Sequence, residues 1–363
     1  MAIHVTKSII PDESKYIRYV KRIFKSGKLT NNGELVQEFE HRLQDYLGVK
    51  NLLVVSNGTI ALQIAYRLMG LSAVVLTTPF TFIATASSIK WLDLIPQFVD
   101  INEKTLCMEP EECGYSIGWH TSGIVPVHVY GNVCNIEGYE KLSKKHKIPI
   151  IYDAAHAFGV KYKGKSIFSY GDVSCGSLHA TKIMHTIEGG FLVICDDNLY
   201  EKAKMMLNFG FDINDGGKLK CVGINAKMNE FSAAMGLCVL DEIDFAIKKR
   251  REIFDYYTDS LKNYVIFPKW NKDATMSYSY FPIIFNTSTE RDYVEKQLNE
   301  VNIFPRKYFS PSLDTLNFLS NDNCRISNMI ASKILCLPLY SDLEGYEVII
   351  NNVIKSLNMV GEL

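Results

Sequence analysis

One lysine of the sequence lies among small and hydroxyl-bearing neighbours. Lys182 occurs in GSLHATKIMHTIEGGF, residues 176–191, where Ser177 and Thr181 precede it and Glu188 follows it. Most lysines are solvated surface charges, but small neighbours suit an amine that a ligand approaches closely. Partial desolvation turns a lysine into a nucleophilic amine that can form a Schiff base with a carbonyl. Lys182 is therefore a candidate catalytic residue.

A carboxylate occurs upstream, at the end of an apolar run. Asp153 ends the run IPIIYD and is followed by AAHA. An Asp at a strand-to-helix junction is commonly a helix N-cap. The functional interpretation is a fixed negative charge that faces a cationic ring nitrogen. The residue alone leaves both interpretations open.

A turn-and-helix pattern offers an anion site. SNGT, residues 56–59, opens a helical pattern, and the free N–H groups of a helix N-terminus with a hydroxyl suit a phosphate. A plain capping turn is an equally good interpretation. Ser177 would add a second hydroxyl to the same phosphate, and Phe80 would stack on an aromatic ring, although such a phenylalanine is more often a core residue.

These candidates complement one another. A phosphate cradle, a stacking ring, a carboxylate for a pyridine nitrogen and a Schiff-base lysine are the groups that pyridoxal 5′-phosphate requires. They occur in the order anchor, aromatic, Asp and then Ser-x-x-x-x-Lys. The combination indicates a pyridoxal-phosphate enzyme, although each part alone is weak.

The elements that must position these residues alternate between short apolar runs and helical patterns. The runs predicted as strands are 51–56, 73–78, 96–100, 122–130, 148–155, 173–179 and 190–196. Such alternation predicts an α/β fold with a mostly parallel sheet covered by crossover helices on both faces. Ligands of these sheets bind beyond the strand ends, so the candidate residues are expected to meet at one site.

The pattern changes after about residue 226. Residues 227–264 form one long helical pattern that is charged on one face, and the remaining residues mix strands such as SYFPIIF with helices. We predict a large domain over residues 1–240, which includes the N-terminal segment, and a smaller α+β domain over residues 241–363.

Composition and charge argue against a protein that binds nucleic acid, crosses a membrane or depends on disulfides. The 363 residues have a formal net charge of −1, which gives no basic footprint for nucleic acid or for an anionic membrane. The nine cysteines include no C-x-x-C pair, so neither a metal site nor a disulfide framework is indicated. Neither a signal peptide nor a membrane span is apparent. We expect a soluble cytoplasmic protein.

Six motifs carry a resemblance to a known family. They are SNGTIALQ, PFTFIATA, VPVHVYG, YDAAHAFG, GSLHATKIMHTIEGG and GINAKMNEFSAAMG. In this order they resemble the nucleotide-sugar aminotransferases of the DegT/StrS family, over roughly residues 15–310. The resemblance implies a type I pyridoxal-phosphate fold and a homodimer with active sites at the subunit interface.

The resemblance also implies roles for residues that contact the cofactor. Lys182 would form the Schiff base, Asp153 would pair with the pyridinium nitrogen, and Phe80 would stack on the ring. His156 stands where the family commonly has Gln, close to the ring hydroxyl, and either side chain can donate a hydrogen bond. The residues implied for the phosphate are Gly58, Thr59 and Ser177, joined by Asn225 of the partner subunit.

The substrate side is less well matched. KYFSPSL, residues 307–313, resembles the family's C-terminal substrate loop, in which an aromatic pair is usually followed by Pro-Leu-His. No His follows here, so the resemblance implies substrate contacts only for Tyr308 and Phe309. Glu188 belongs to the family's E-G-G element, where it forms a turn or lies near the sugar.

The resemblance implies a two-step reaction. L-glutamate donates its amino group to the cofactor, which passes it to the keto group of a nucleotide-linked sugar. The pattern is most similar to enzymes that act on dTDP-4-keto-6-deoxyglucose, so we expect amination at C4 to dTDP-4-amino-4,6-dideoxyglucose for O-antigen synthesis. The alternative is a C3-aminotransferase that acts on a dTDP-3-keto-6-deoxyhexose.

Three other interpretations remain to be compared. Dehydratases of the same family carry His in place of the Schiff-base lysine, so Lys182 favours transamination. A non-catalytic sensor of the same fold would need neither Lys182 nor Asp153, and both are present. A Rossmann-type dehydrogenase would carry G-x-G-x-x-G after its first strand, and the sequence has none there.

Overall fold

The computed structural model describes residues 2–320 and 322–361. Their strands are β1 (Ile3–His4), β2 (Leu52–Val55), β3 (Val74–Thr77), β4 (Ile95–Phe98), β5 (Thr121–Val125), β6 (Ile151–Asp153), β7 (Lys161–Tyr162), β8 (Lys165–Ser166), β9 (Val173–Ser177), β10 (Gly190–Ile194), β11 (Phe211–Asp212), β12 (Lys218–Leu219), β13 (Phe281–Ile284), β14 (Ile303–Phe304) and β15 (Ile334–Leu337).

The α-helices are α1 (Glu13–Ser26), α2 (Glu34–Leu47), α3 (Gly58–Leu68), α4 (Ala84–Trp91), α5 (Pro110–Ser116), α6 (Ile136–His146), α7 (Asp197–Leu207), α8 (Glu230–Leu240), α9 (Ile243–Leu261), α10 (Ser288–Glu300), α11 (Arg325–Lys333) and α12 (Tyr346–Gly361). The single helix predicted over 227–264 is wrong: the chain forms two helices, α8 and α9, separated at Asp241 and Glu242. None of the helices described here is long and apolar enough to cross a bilayer.

The central sheet joins strands from much of the first 200 residues. Four strands pair in the order β2-β10-β9-β6 and three in the order β4-β3-β5. Parallel bridges between Ile124 and Ile150 and between Val127 and Asp153 connect the two groups. β10 is antiparallel to both its neighbours, whereas the other pairs are parallel. The predicted mostly parallel sheet is therefore confirmed.

Alternating side chains of the buried strands enter two separate hydrophobic clusters. In β2, Leu52 and Val54 belong to one cluster, while Leu53 and Val55 belong to the other. Successive side chains of a strand point to opposite faces of the sheet, so each face has its own apolar layer. This explains why the strands are continuous apolar runs rather than alternating ones.

The C-terminal region has a core of its own around the antiparallel pair β13 and β15. Buried residues of α9, α10 and α12 pack with these strands in a third hydrophobic cluster. The N-terminal strand β1 pairs in parallel with β14, so the first residues of the chain contact this region. The domain boundary at residue 240 stays a prediction.

Candidate active site

A cavity of about 390 Å³ opens at one edge of the central sheet. β6 ends there at Asp153 and β9 ends there at Ser177, while the antiparallel β10 begins there. All but two of the residues predicted for the site line this cavity: Gly58, Thr59, Asp153, His156, Ser177, Lys182, Glu188, Tyr308 and Phe309. The sheet edge thus brings together segments that lie far apart in the sequence.

The cavity has two walls of different origin. The residues of the first, here the sheet wall, follow strands of the central sheet and lie between Asn57 and Glu188. The second, here the C-terminal wall, consists of Tyr280, Arg306, Tyr308 and Phe309.

One end of the sheet wall suits a phosphate. Gly58 and Thr59 begin α3, and the Asn57 side chain caps that helix by accepting the Ile60 N–H at 2.9 Å. A Cβ on Gly58 would lie 3.1 Å from the Cβ of Ser177, so a larger residue would crowd the serine. The free N–H groups of the helix N-terminus and the Ser177 hydroxyl form a compact anion cradle.

Asp153 is a buried carboxylate with its hydrogen bonds arranged by the wall. Its Oδ2 accepts the Thr85 hydroxyl at 2.8 Å, and its Oδ1 accepts the Ala155 N–H at 3.1 Å. Burial raises the pKa of Asp153, while these hydrogen bonds and the Lys182 charge oppose the rise. A buried carboxylate is stabilised by a cationic partner, which a pyridinium N–H provides. A role as a helix N-cap therefore does not fully describe Asp153, because its carboxylate also borders the cavity.

His156 is neutral and in one defined tautomer. Burial lowers the pKa of His156 well below its usual range, and the Lys182 charge adds to that effect. Its Nδ1 accepts the Tyr130 backbone N–H at 3.3 Å, so the ring proton must be on Nε2. The ring stacks on Phe309 at a centroid distance of 5.5 Å. His156 is therefore a hydrogen-bond donor at Nε2. A Gln side chain at this position, as in other members of the family that the sequence resembles, could also donate a hydrogen bond.

Lys182 lies in the segment that connects β9 to β10. Its backbone N–H donates to the His179 carbonyl at 2.8 Å, which forms a tight turn. Its Nζ donates to the Tyr280 hydroxyl at 3.0 Å. The amine thus meets the C-terminal wall directly.

Phe80 is not placed at the cavity. Its side chain is fully buried and packs edge-on against Tyr130 and Phe309, at centroid distances of 6.2 and 5.9 Å. Phe82, two residues later, is 56% exposed and lines the cavity. A ring without exposed surface cannot stack on a ligand, so the prediction of Phe80 as the stacking residue is wrong for this structure. Phe82 is the aromatic residue of this segment that borders the cavity.

Asn225 lies outside the cavity of its own chain. It is exposed and pairs with Asn208 in an isolated antiparallel bridge. The sequence analysis assigned it to the partner subunit's site, and that assignment stays a prediction.

Glu188 lies on the exposed side of the sheet wall. Its Oε1 is 3.5 Å from His179 Nε2, and both side chains line the cavity. Glu188 can therefore belong to a turn and also face the cavity. Within residues 2–320 and 322–361, no group of three His, Cys, Asp or Glu residues is arranged to hold a metal ion.

Several cavity residues were not identified from the sequence: Thr81, Phe82, Thr85, His179, Thr181, Tyr280 and Arg306. Thr85 ends the segment PFTFIAT and is the second residue of α4, and a hydroxyl in the first turn of a helix after a predicted strand is a pattern that indicates a site residue. Arg306 directly precedes the loop that was identified. Tyr280 had no such indication, because SYSYF contains two tyrosines at strand spacing.

Comparisons with known proteins agree with this geometry. Residues 11–358 match the model of the DegT/DnrJ/EryC1/StrS aminotransferase family. The dTDP-4-amino-4,6-dideoxy-D-glucose transaminase of Shigella dysenteriae is 36% identical, over 94% of this chain and 95% of that protein. The GDP-perosamine synthase of Escherichia coli O157:H7 is 31% identical, over 91% of this chain and 92% of that protein.

Solved structures confirm the fold. DesI, determined in the presence of its TDP-sugar product, is 29% identical and superposes with a TM-score of 0.91 over 99% of this chain and 92% of that chain. Helicobacter pylori PseC, an aminotransferase involved in pseudoaminic acid biosynthesis, is 26% identical with a TM-score of 0.89 over 99% of this chain and all of that one. The expected type I fold is thereby established.

The phosphate cradle, the buried carboxylate and the lysine fit pyridoxal 5′-phosphate, the cofactor of this family. The chain belongs to the DegT/DnrJ/EryC1/StrS aminotransferase family, and it is a pyridoxal-phosphate-dependent aminotransferase.

Proposed function

We propose that the enzyme transfers the amino group of L-glutamate to C4 of dTDP-4-keto-6-deoxyglucose, which yields dTDP-4-amino-4,6-dideoxyglucose. The observation that carries the proposal is the 36% identity, over nearly the full chain, to a transaminase named for that product. A second such transaminase, from Escherichia coli, is 35% identical over 98% of this chain. We further propose that the product supplies O-antigen synthesis in the cytoplasm.

The sheet wall is proposed to hold the cofactor. Pyridoxal phosphate supplies a carbonyl that carries the amino group and a ring that accepts electrons. Gly58, Thr59 and Ser177 bind its phosphate through backbone N–H groups and hydroxyls. Asp153 keeps its ring nitrogen protonated, and Thr85 fixes the orientation of that carboxylate.

The remaining cofactor contacts use a neutral donor, an aromatic face and an amine. His156 donates from Nε2 to the ring hydroxyl, and Phe82 covers one face of the ring. Lys182 would hold the cofactor covalently through Nζ in the resting enzyme. With its amine free, Lys182 would take the α-proton of the amino donor on Nζ, as a general base.

The C-terminal wall is proposed to hold the sugar nucleotide. A groove of about 490 Å³ adjoins the cavity, and Arg306, Tyr308 and Phe309 line both. The Arg306 guanidinium lies 5.8 Å from the centroid of the Tyr308 ring, whereas Lys307 is already paired with Asp292. Arg306 is therefore the cation that suits the substrate's diphosphate.

Three further contacts follow from the same arrangement. Tyr308 and Phe309 pack against the hexose, and Glu188 accepts a hydrogen bond from one of its hydroxyls. These groups discriminate between sugars without taking part in the proton transfer.

A homodimer is proposed to complete the site. Asn225 would reach the phosphate of the partner subunit's cofactor. Apolar side chains near it in sequence are exposed in the single chain, including Ile213 and Val222 at 74% and 89%. Exposed apolar side chains clustered on one segment favour burial against a second copy.

The decisive experiment separates the two half-reactions. The enzyme is first converted with L-glutamate, which should remove the visible absorption of the bound cofactor. It is then given dTDP- or GDP-linked 4-keto-6-deoxy sugars or a dTDP-3-keto-6-deoxyhexose, and the amine of each product is located by NMR. The proposal predicts preferred turnover of the dTDP-4-keto sugar and an amine at C4. An amine at C3, or preference for the GDP sugar, would contradict it.

A further inference from the structure

Tyr280 connects the C-terminal wall to the reactive amine. It immediately precedes β13, its side chain is buried, and its hydroxyl accepts a hydrogen bond from Lys182 Nζ at 3.0 Å. We propose that Tyr280 is a positioning residue that holds the Lys182 amine in its productive orientation. The inference rests on the proposed role of Lys182 and goes beyond it.

The tyrosine ring is fixed from several sides. It packs edge-on against His156 at a centroid distance of 5.0 Å and against Tyr308 at 5.7 Å. Tyr130 contacts it at a tilted angle, with centroids 5.8 Å apart. Aromatic edge-to-face contacts of this kind restrict both side-chain torsions. The hydroxyl therefore has a defined position before any ligand binds.

The lysine, by contrast, has a long flexible side chain. Fixing a lysine side chain in one rotamer costs up to about 2 kcal/mol of conformational entropy. The Nζ–H donated to Tyr280 selects one rotamer, and Tyr280 meets the amine on the side of the C-terminal wall. The remaining substituent positions of Nζ are then available for the cofactor or for a proton.

Orientation matters most after Lys182 leaves the cofactor. In that interval the amine must remain within reach of the α-carbon whose proton it accepts. A misplacement of about 1 Å in such a step can cost on the order of 100-fold in rate. Without the hydroxyl of Tyr280, the released amine would sample rotamers that are too distant for the transfer.

The contact also joins two parts of the fold. Lys182 lies in the segment that connects β9 to β10 of the central sheet, whereas Tyr280 immediately precedes β13 in the region built around β13 and β15. The base is thus oriented only when the two walls are packed together. Of the C-terminal wall, only Arg306, Tyr308 and Phe309 are proposed to contact the sugar nucleotide, and Tyr280 is directed at Lys182. Loss of the Tyr280 hydroxyl should therefore leave cofactor and substrate affinity nearly unchanged.

The first test compares Tyr280→Phe with Tyr278→Phe. Tyr278 lies two residues earlier and packs against Phe254, away from the cavity, so it controls for loss of a hydroxyl in this segment. In Tyr280→Phe the single-turnover rate with L-glutamate should fall about 10- to 100-fold, with KM within about twofold. The primary isotope effect with α-deuterated glutamate should rise, because proton transfer becomes more rate-limiting. An unchanged rate and isotope effect would overturn the proposal.

The second test uses the cofactor-free protein. Lys182 is acylated with acetic anhydride, and its labelling is followed by peptide mass spectrometry relative to Lys165, an exposed internal reference. Release of Nζ in Tyr280→Phe should accelerate labelling of Lys182 severalfold, while Tyr278→Phe should not change it. Equal labelling in both variants would show that Tyr280 does not hold the amine.

The two proposals fail in different ways. If Lys182 is not the reactive lysine, Lys182→Ala retains transamination, whatever the labelling experiment gives. If Lys182 is reactive but Tyr280 does not position it, Lys182→Ala is inactive and Tyr280→Phe behaves like the wild type.

Discussion

The two walls of the cavity are built in different ways. In the sheet wall, Asp153 and His156 are each fixed by a hydrogen bond from the backbone, and the phosphate cradle is a helix terminus. In the C-terminal wall, the rings of Tyr280, Tyr308 and Phe309 pack on one another and on the sheet wall. Hydrogen bonds from the backbone hold the polar side chains of the sheet wall in one position. The packed rings of the C-terminal wall can be replaced by other side chains without a change in the backbone.

This difference separates two tasks of the enzyme. Chemistry common to every substrate needs the cofactor in one orientation, which is the role proposed for the sheet wall. Discrimination between sugar nucleotides needs a surface that can vary without disturbing the cofactor. Tyr280 is the point where the walls meet, since its hydroxyl binds the lysine of the other wall.

The largest expected effect is in the sheet wall. Asp153→Asn removes the negative charge proposed to face the ring nitrogen while it keeps the size of the side chain. We expect turnover to fall about 10²- to 10³-fold, as for other groups that stabilise developing charge. Both half-reactions should slow, because both use the ring. Single-turnover rates with glutamate and with the keto sugar measure this, and a loss confined to the sugar half-reaction would break the comparison.

A charge change in the C-terminal wall should affect one half-reaction only. Arg306→Gln should raise KM for the sugar nucleotide about 10- to 100-fold, since charge-assisted hydrogen bonds contribute roughly 1.5–3 kcal/mol. The rate with glutamate should stay within about threefold. Lys307→Gln is the matched control, because Lys307 is paired with Asp292 and Glu295. If both variants raise KM equally, Arg306 has no special role.

The two phenylalanines of PFTF should separate binding from stability. Phe82→Leu should weaken pyridoxal phosphate binding about three- to tenfold, from the 0.5–1.5 kcal/mol of an aromatic contact. Phe80→Leu should instead lower the free energy of unfolding by about 1 kcal/mol or more, because Phe80 is a core residue. Cofactor titration and denaturant unfolding distinguish the two. The reverse pattern would restore Phe80 as the stacking residue.

The smallest effect concerns pH. His156 has a lowered pKa when folded, whereas an unfolded histidine titrates near 6.5. As the pH falls below about 6.5, the unfolded chain gains a proton that folded His156 does not, so stability falls by up to about 1.4 kcal/mol per pH unit. His156→Gln should reduce that slope in the cofactor-free protein. A slope that His156→Gln leaves unchanged would contradict this assignment.

Sequence patterns predicted the sheet wall better than the C-terminal wall. Asp153, Ser177 and Lys182 end or follow predicted strands, and the carboxyl ends of parallel strands necessarily meet. The prediction for Phe80 was wrong because the sequence alone does not distinguish between two phenylalanines that lie two residues apart. The path of the chain after Pro79, which no local pattern determines, decides which of them is exposed.

The C-terminal wall depends on contacts between distant segments. Tyr280 and Tyr278 are indistinguishable by type, and only the packing of β13 against the rest of the cavity decides which one reaches Lys182. The break between α8 and α9 was missed for a similar reason. Asp241 and Glu242 fit a helical pattern, and Asp241 instead pairs with Lys15 and Arg42 from the N-terminal helices.

The central claim is that Lys182 is the amine that carries the cofactor. The most direct measurement is reduction of the cofactor-loaded enzyme with borohydride, which makes the lysine–cofactor link permanent, followed by peptide mass spectrometry. We predict that the pyridoxyl label is on the peptide containing Lys182, and that addition of L-glutamate before borohydride prevents the labelling. A label on another lysine, or labelling that glutamate does not prevent, would contradict the account.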